Sequence, residues 1–452
     1  MATENILIIA SRADIAGGEN YLLSCFRYMD RARYHPIVWL PGDGAFRAAL
    51  EQAGVEYVIE PVGYGWLKPP KPWYEFLSGL PGRVRRIADL IRERDIQIVH
   101  TNSNMILEGA LAAKLTGVRH LFLAHIDYQS NLPVYQRLPL DAASFARLMD
   151  DLSAGILAVS GHVRDTLCPP LPRERVTVVN NGLEMARYDA ALAARDGSLR
   201  QSLSLADDAV IVVAAGRVTE DKGFDLLIEA AGQLCPAHPK AVFLLCGPVD
   251  SPDYQSTLLQ RIEQLALKDY VRLLGRRHDL PDVMAQSDVF VLSSRREGHP
   301  YVLLEAMACD LPAVATRCGG VDETVVEGET GFIVPIGSAQ ALAERLSPLL
   351  ADAGLRTRMG LAAGQRVREH FTAAQTAQGL FDMYEYLLAQ PTPDRGNYAV
   401  DLLLQAASEY GYLGERLTAL EERVKKPERA AALLLDNPLM RLLRRILKRN
   451  GG

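Results

Sequence analysis

Short apolar runs bounded by turn residues alternate along this chain with segments of helical period, and few folds other than a parallel sheet covered by helices on both faces accept that alternation. Strands are predicted near Asn5–Ala10, Pro36–Leu40, Tyr57–Glu60, Gln97–His100, His120–Ala124, Ile156–Val159 and Val176–Val179. Helices are predicted near Gly18–Met29, Phe46–Gln52, Glu75–Arg94, Leu107–Leu115 and His162–Leu167. A second series follows the Ala-rich, charged stretch Asp189–Ser204. Its strands fall near Val210–Ala215, Val242–Cys246, Val271–Leu274, Val289–Leu292, Ala313–Ala315 and Phe332–Val334, and its helices near Asp225–Leu234, Thr257–Ala266, Leu303–Cys309 and Ala339–Leu350. Two doubly wound α/β domains follow, with their strand C-termini facing each other across a cleft, where such sheets bind ligands. The expected divisions are an N-terminal domain over 1–188, a C-terminal domain over 189–372, a helix over 373–392 returning to the N-terminal domain, and a helical extension over 393–452.

Composition narrows the function. With 452 residues, 48% hydrophobic and 23% charged, the chain has enough apolar content for two cores. Lys+Arg 49 against Asp+Glu 55 argues against a nucleic-acid coat or a broadly basic membrane-binding body. Six cysteines without a CxxC pair point to neither a disulfide framework nor a zinc cluster and fit a reducing cytoplasm. The apolar run Ile6–Ala10 stops at Arg12 and Asp14, so a first strand is expected there and no signal peptide. No stretch approaches the ~20 apolar residues of a spanning helix, which leaves a peripheral contact with the inner face of a membrane open.

The segment Ser293-Ser-Arg-Arg-Glu297-Gly-His-Pro-Tyr-Val-Leu-Leu-Glu305 carries the clearest chemistry. A strand ends, a Gly/Pro loop follows, and a helix starts, with one carboxylate on the loop and another about one turn inside the helix. The first can accept hydrogen bonds from hydroxyls and the second can hold a vicinal diol. Between them, the helix N-terminus favours an anion such as a diphosphate. Hydroxyl, diphosphate, diol is the order of groups in a nucleotide sugar.

Glu297-Gly-His-Pro, Leu304-Glu-Ala-Met-Ala-Cys-Asp-Leu-Pro-Ala-Val-Ala-Thr, Cys318-Gly-Gly-Val-Asp-Glu and Glu329-Thr-Gly-Phe-Ile-Val together resemble the C-terminal signature of retaining GT-B glycosyltransferases of family GT4. Ala215-Gly-Arg217-Val-Thr-Glu-Asp-Lys222-Gly-Phe-Asp resembles the same family's diphosphate-binding loop, and Ala16-Gly17-Gly18-Glu its N-terminal glycine loop. The resemblance covers residues ~5–390. It implies a GT-B fold of two Rossmann-like domains, the first on the acceptor side and the second holding the donor. It implies transfer of a hexosyl unit from a UDP- or GDP-sugar to a saccharide or lipid-linked acceptor, with no cofactor and no metal, as in surface polysaccharide or lipopolysaccharide assembly.

Carried over by residue, the resemblance implies that Glu297 contacts donor-sugar hydroxyls, that Glu305 holds the ribose, and that Arg217 and Lys222 neutralise the diphosphate leaving group. Fixed cations there stabilise the transition state more than the ground state, because negative charge grows on the departing diphosphate. Gly17 and Gly18 leave room for a substrate beside backbone amides. His125 matches the family's sugar-contacting histidine, although His100 ends the neighbouring strand and either could be structural. Gly298, His299, Pro300, Tyr301 and Val302 complete the expected donor contacts. His299, Pro300 and Tyr301 depart from the family's usual Gly-Phe-Gly-Leu at 298–301. The base is expected near Gly275-Arg-Arg-His278, with uridine and guanosine undistinguished.

The Pro-rich loop Gly63–Tyr74 concentrates Trp66 and Trp73 with two lysines, which suits an acceptor sugar or a lipid head group, or a loop that simply packs down. The last segment places Leu439, Leu443 and Leu447 on one helical face and Arg441, Arg444, Arg445 and Lys448 elsewhere. A basic amphipathic helix of this kind suits an anionic membrane surface, a partner protein, or folding back onto the body. Other readings of the whole chain are a nucleotide-sugar epimerase or hydrolase on the same fold, and a non-catalytic assembly protein.

Overall fold

The computed structural model describes residues 3–62, 73–103, 106–126, 142–391 and 398–424. Two parallel sheets form. The first runs β3(Glu56–Ile59)-β2(Tyr34–Leu40)-β1(Glu4–Ile9)-β4(Ile96–Thr101)-β5(Arg119–Ala124)-β6(Gly155–Ala158)-β7(Val176–Val178). The second runs β10(Val271–Gly275)-β9(Ala241–Cys246)-β8(Val210–Ala215)-β11(Val289–Leu292)-β12(Ala313–Thr316)-β13(Gly331–Val334). In each sheet the order reverses beside the first strand, β1 or β8, which opens a crevice at the strand C-termini. The central strands are apolar without alternation because helices cover both faces, and Ile6, Leu7, Ile8 and Ile9 are all fully buried.

The expected architecture of two doubly wound domains is therefore observed, with differences at element ends. The Ala-rich, charged stretch Asp189–Ser204, for which no helix is predicted, carries helix Ser198–Ser202 and the end of helix Met185–Ala193. Alanine favours helix without signalling a face, so periodicity gave no sign of them. Helix Pro252–Gln264 starts five residues before its expected position, because Ser251 caps it through the Tyr254 N–H and Pro252 fits the first turn.

The chain crosses between domains twice, at 180–184 and 371–373, and the crossings are bonded to each other. Leu183 N donates to Phe371 O and Ala373 N to Leu183 O, both at 2.9 Å. The strands approach so closely that a Cβ on Gly182 would lie 2.2 Å from Thr372 O. Helix Ala373–Ala389 then buries Ala377, Leu380, Tyr384 and Leu387 in the N-terminal core. Its Glu385 accepts hydrogen bonds from Arg33 and Tyr34 beside β2.

Helix Tyr398–Val424 packs along helix Trp73–Glu93 of the N-terminal domain. Val400, Leu404 and Ala407 are buried in the contact, and Gly411 meets Ser78 so closely that a Cβ there would be 2.3 Å from the serine Cβ. Beyond that crossing Tyr412 and Leu413 are exposed. Among the described residues no helix is long and apolar enough to cross a membrane.

Candidate active site

Two loops of the C-terminal domain are joined backbone to backbone beneath the cleft. After β8 the chain makes a tight turn over Glu220–Lys222 and enters helix Phe224–Leu234 through Gly223, whose φ of 64° is left-handed. A Cβ on Gly223 would lie 2.1 Å from Ser293 O. Ser293 Oγ donates to Lys222 O at 3.0 Å, and Arg295 N donates to Asp221 O at 2.7 Å. This join sets Lys222 Nζ 2.7 Å from Glu297 Oε1, which also accepts from Ser294 Oγ at 2.8 Å. Burial works against the Lys222 ammonium, but the Glu297 carboxylate together with Asp221 outweighs it and leaves the lysine pKa above its ordinary value. Arg217 lies on the same loop at the surface, its guanidinium 3.2 Å from Asp250.

Glu305 sits in helix Tyr301–Ala308 and accepts from Tyr188 Oη at 3.1 Å. Burial raises its pKa, and the Tyr188 hydrogen bond and Arg187 act in the opposite direction. A cavity of about 250 Å³ opens between the domains here, lined among others by Asn20, Ser24, Arg187, Tyr188, Tyr301 and Glu305.

The N-terminal domain supplies the opposite wall. Gly17 and Gly18 begin helix Gly17–Tyr28, and Glu19 folds back so that Ala16 N donates to its carboxylate at 3.1 Å. His125 follows β5, with its Nε2 3.0 Å from Asn102 Oδ1 and its ring edge-on to Tyr21. Burial pushes the His125 pKa down to about 4, so the ring is neutral at pH 7. His100 is instead a core residue: it is fully buried, with Nδ1 2.8 Å from Tyr384 Oη. The domains touch where a Cβ on Gly298 would lie 1.9 Å from His125 O. Ser160 Oγ donates to Gly298 O at 2.9 Å, and Glu323 accepts from Gly161 N at 2.9 Å and His162 N at 3.1 Å, so the contact is latched from both sides.

One expected donor contact is corrected. The His299 ring turns away from the cleft: Nδ1 accepts from Asn181 N–H at 3.2 Å, Nε2 lies 3.2 Å from Thr324 Oγ, and His299 O accepts from Asn181 Nδ2 at 2.8 Å. No ring nitrogen is left for a ligand, because the histidine pins the hinge to the site loop. Pro300 is buried as the residue before helix Tyr301–Ala308, and Val302 packs against the C-terminal core. Tyr301 lies with its ring beside Gly17, and its buried hydroxyl has no hydrogen-bond partner among the described residues.

The structure thus brings together Lys222, Glu297, Gly298 and His125, with Gly18 beside His125, Gly17 beside Tyr301, and Tyr301 and Glu305 on the cavity. Ser294 and Glu323 stood inside the quoted motifs without a role assigned to them, and Asn102 and Tyr188 escaped the sequence reading. Of these two, Asn102 had a signal, its place two residues after a strand-end histidine. Trp66 and the segment with Leu439, Arg441, Leu443, Arg444, Arg445, Leu447 and Lys448 lie outside the described residues. Trp73 opens helix Trp73–Glu93, and its side chain is outside them too.

Residues 196–366 match the family model for glycosyl transferases group 1, and residues 15–187 match that for glycosyltransferase family 4. Over 310 residues the chain is 29% identical to the alpha-maltose-1-phosphate synthase of Mycolicibacterium smegmatis, covering 63% of this chain and 77% of that protein. It is 30% identical over 214 residues to a lipopolysaccharide core biosynthesis mannosyltransferase of Rhizobium leguminosarum, covering 47% of this chain and 60% of that one. The HepE protein of Anabaena, solved in complex with UDP-glucose, superposes with a TM-score of 0.71 at 24% identity, over 84% of this chain and 99% of that one. With one family model on each domain and the GT-B arrangement of both, this chain belongs to the group 1, family 4 glycosyltransferases and is an enzyme of that class.

Proposed function

We propose that the enzyme transfers a hexosyl unit with retention from a nucleoside-diphosphate sugar to a saccharide or lipid-linked acceptor, without a metal ion, in the assembly of a surface polysaccharide or lipopolysaccharide. The observation that carries this reading is the Lys222–Glu297 pair on the C-terminal wall, with Glu305 on the cavity. Glu297 lies at the domain contact, the Lys222 ammonium is bonded to it, and Glu305 lies farther along on the cavity. Sugar hydroxyls, diphosphate and ribose diol fit these groups in that order. Arg217 is held by half-exposed pairs, at 3.2 Å to Asp250 and 4.0 Å to Asp221, weak enough to let it turn toward the phosphates. Similar structures described as complexes with UDP and UDP-glucose, and relatives described as lipopolysaccharide core transferases, support the donor class and the pathway.

The test is thermal stability of the full chain with UDP, GDP, ADP or no ligand, all in EDTA. A nucleotide at about 100 times its dissociation constant adds about 2.7 kcal/mol to stability. One nucleotide is expected to raise the melting temperature selectively despite the chelator. If none does, the donor reading fails. If stabilisation appears only when a divalent ion is restored, metal independence fails.

The basic amphipathic segment after residue 436 supplies, in this reading, contact with an anionic inner leaflet. Removing residues 437–452 is expected to abolish co-sedimentation with anionic liposomes while soluble-acceptor turnover continues. Unchanged sedimentation would retire the membrane contact.

A further inference from the structure

Asn102 lies between the two cleft elements of the N-terminal domain. It follows β4, its own N–H donates to Ile9 O at 3.0 Å, and it is 1% exposed. One end of its amide lies 3.0 Å from Gly18 O in the glycine loop. A backbone carbonyl can only accept, so that end is the NH2 group. The other end, Oδ1, then faces His125 Nε2 at 3.0 Å. An amide oxygen can also only accept, so Nε2 must carry the hydrogen. A neutral imidazole has a single N–H, which leaves Nδ1 with the lone pair. No described residue bonds to it.

We infer that Asn102 is a positioning residue that holds His125 in its Nε2–H tautomer and ties it to the glycine loop, so that His125 meets the donor sugar as a hydrogen-bond acceptor at Nδ1. This role rests on the donor reading above. An acceptor at a sugar hydroxyl leaves more electron density on the ring and favours a positive anomeric centre, whereas a charged or donating ring would oppose it. Gly18 completes the arrangement, since a Cβ there would press on both partners, at 3.2 Å from Asn102 Nδ2 and 3.4 Å from His125 Nε2.

Among the described residues, the titratable neighbours of His125 are Tyr21, edge-on from helix Gly17–Tyr28, and His100 on β4, itself buried and neutral. From the C-terminal domain Gly298 packs on the His125 carbonyl, with Glu297 next in the chain. Among the described residues no carboxylate bonds to the ring, so the Asn102 amide sets its proton.

Nitrogen-15 NMR of the full chain labelled at histidine reads the tautomer without any substrate, with the His125 signal identified by its loss in His125→Gln. In the wild type, His125 is expected as the neutral Nε2–H form, silent to titration above about pH 5.5. In Asn102→Asp, close to the same shape, a carboxylate replaces the amide. The midpoint of His125 should then rise into the neutral range, and the acidic limb of the donor turnover profile should rise with it. Asn102→Ala should lower kcat about 10- to 100-fold with little change in donor KM, as for a lost orienting contact. A wild-type ring protonated at Nδ1, or an Asn102→Asp variant titrating like the wild type, overturns the inference. If the NMR result holds while the wild type turns over no nucleotide sugar, the tautomer assignment stands and the donor reading falls.

Discussion

Replacing Lys222 with Ala is expected to lower turnover about 100- to 1,000-fold, the range for loss of one fixed electrostatic contact to a developing charge. The lysine is held in place before any ligand arrives. Its carbonyl is tied to Ser293, the next residue is a left-handed glycine against the same loop, and its ammonium lies 2.7 Å from Glu297. The site therefore has little reorganisation to do when charge appears on the leaving group. The pair is also structural, with side chains only 16% and 12% exposed, so removing one member strands the other. Loss of fold and loss of chemistry are separated by the double variant Lys222→Met with Glu297→Gln. It strands neither member of the pair, leaves Asp221 to Arg217, and is expected to recover most of the melting temperature while turnover stays low. Steady-state kinetics beside a thermal melt checks both. A Lys222→Ala enzyme within a few-fold of wild type would sink the leaving-group role.

Gly298→Ala is expected to remove at least 100-fold of activity while each domain stays folded. The added Cβ would stand 1.9 Å from His125 O, and main chain holds both sides of that contact. No side chain can turn away to relieve it, so the clash must be relieved by separating the domains. Catalytic groups on opposite walls then part by something near an ångström, a displacement that costs about 100-fold. Gly42→Ala is the control, because a Cβ there meets nothing within 4 Å. Activity with circular dichroism and limited proteolysis at the hinge reads the effect. Full activity in Gly298→Ala would show that the two walls do not act in this closed arrangement.

The local part of this protein was legible in one dimension. Apolar runs such as Ile6–Ala10 and Val289–Leu292 identified central strands, because a strand buried on both faces needs an unbroken apolar stretch. The loop after β11 and the helix following it could be placed from Gly298, Pro300 and the leucines beyond. Lys222 and Glu297 were found as members of motifs, each beside its own strand.

What tertiary structure alone decided is which of these residues meet. Lys222 and Glu297 join because β8 and β11, far apart in the chain, are neighbours in the sheet. His125 reaches Asn102 because β4 and β5 pair, and it reaches Gly298 only across the domain contact. His299 lies one residue from the chemistry and yet faces the hinge, since side-chain direction in an irregular loop follows no period. Helix Tyr398–Val424 was readable as a helix, but its seat on helix Trp73–Glu93 depends on Gly411 meeting Ser78, a fit between surfaces remote in sequence. Backbone preference and burial pattern are properties of neighbouring residues, so the sequence determined the two sheets and the motifs at their edges. Hydrogen bonds and close approaches between distant residues exist only once the sheets have packed, so the positioning of the site, by Asn102, His299 and Gly298, was left to the fold.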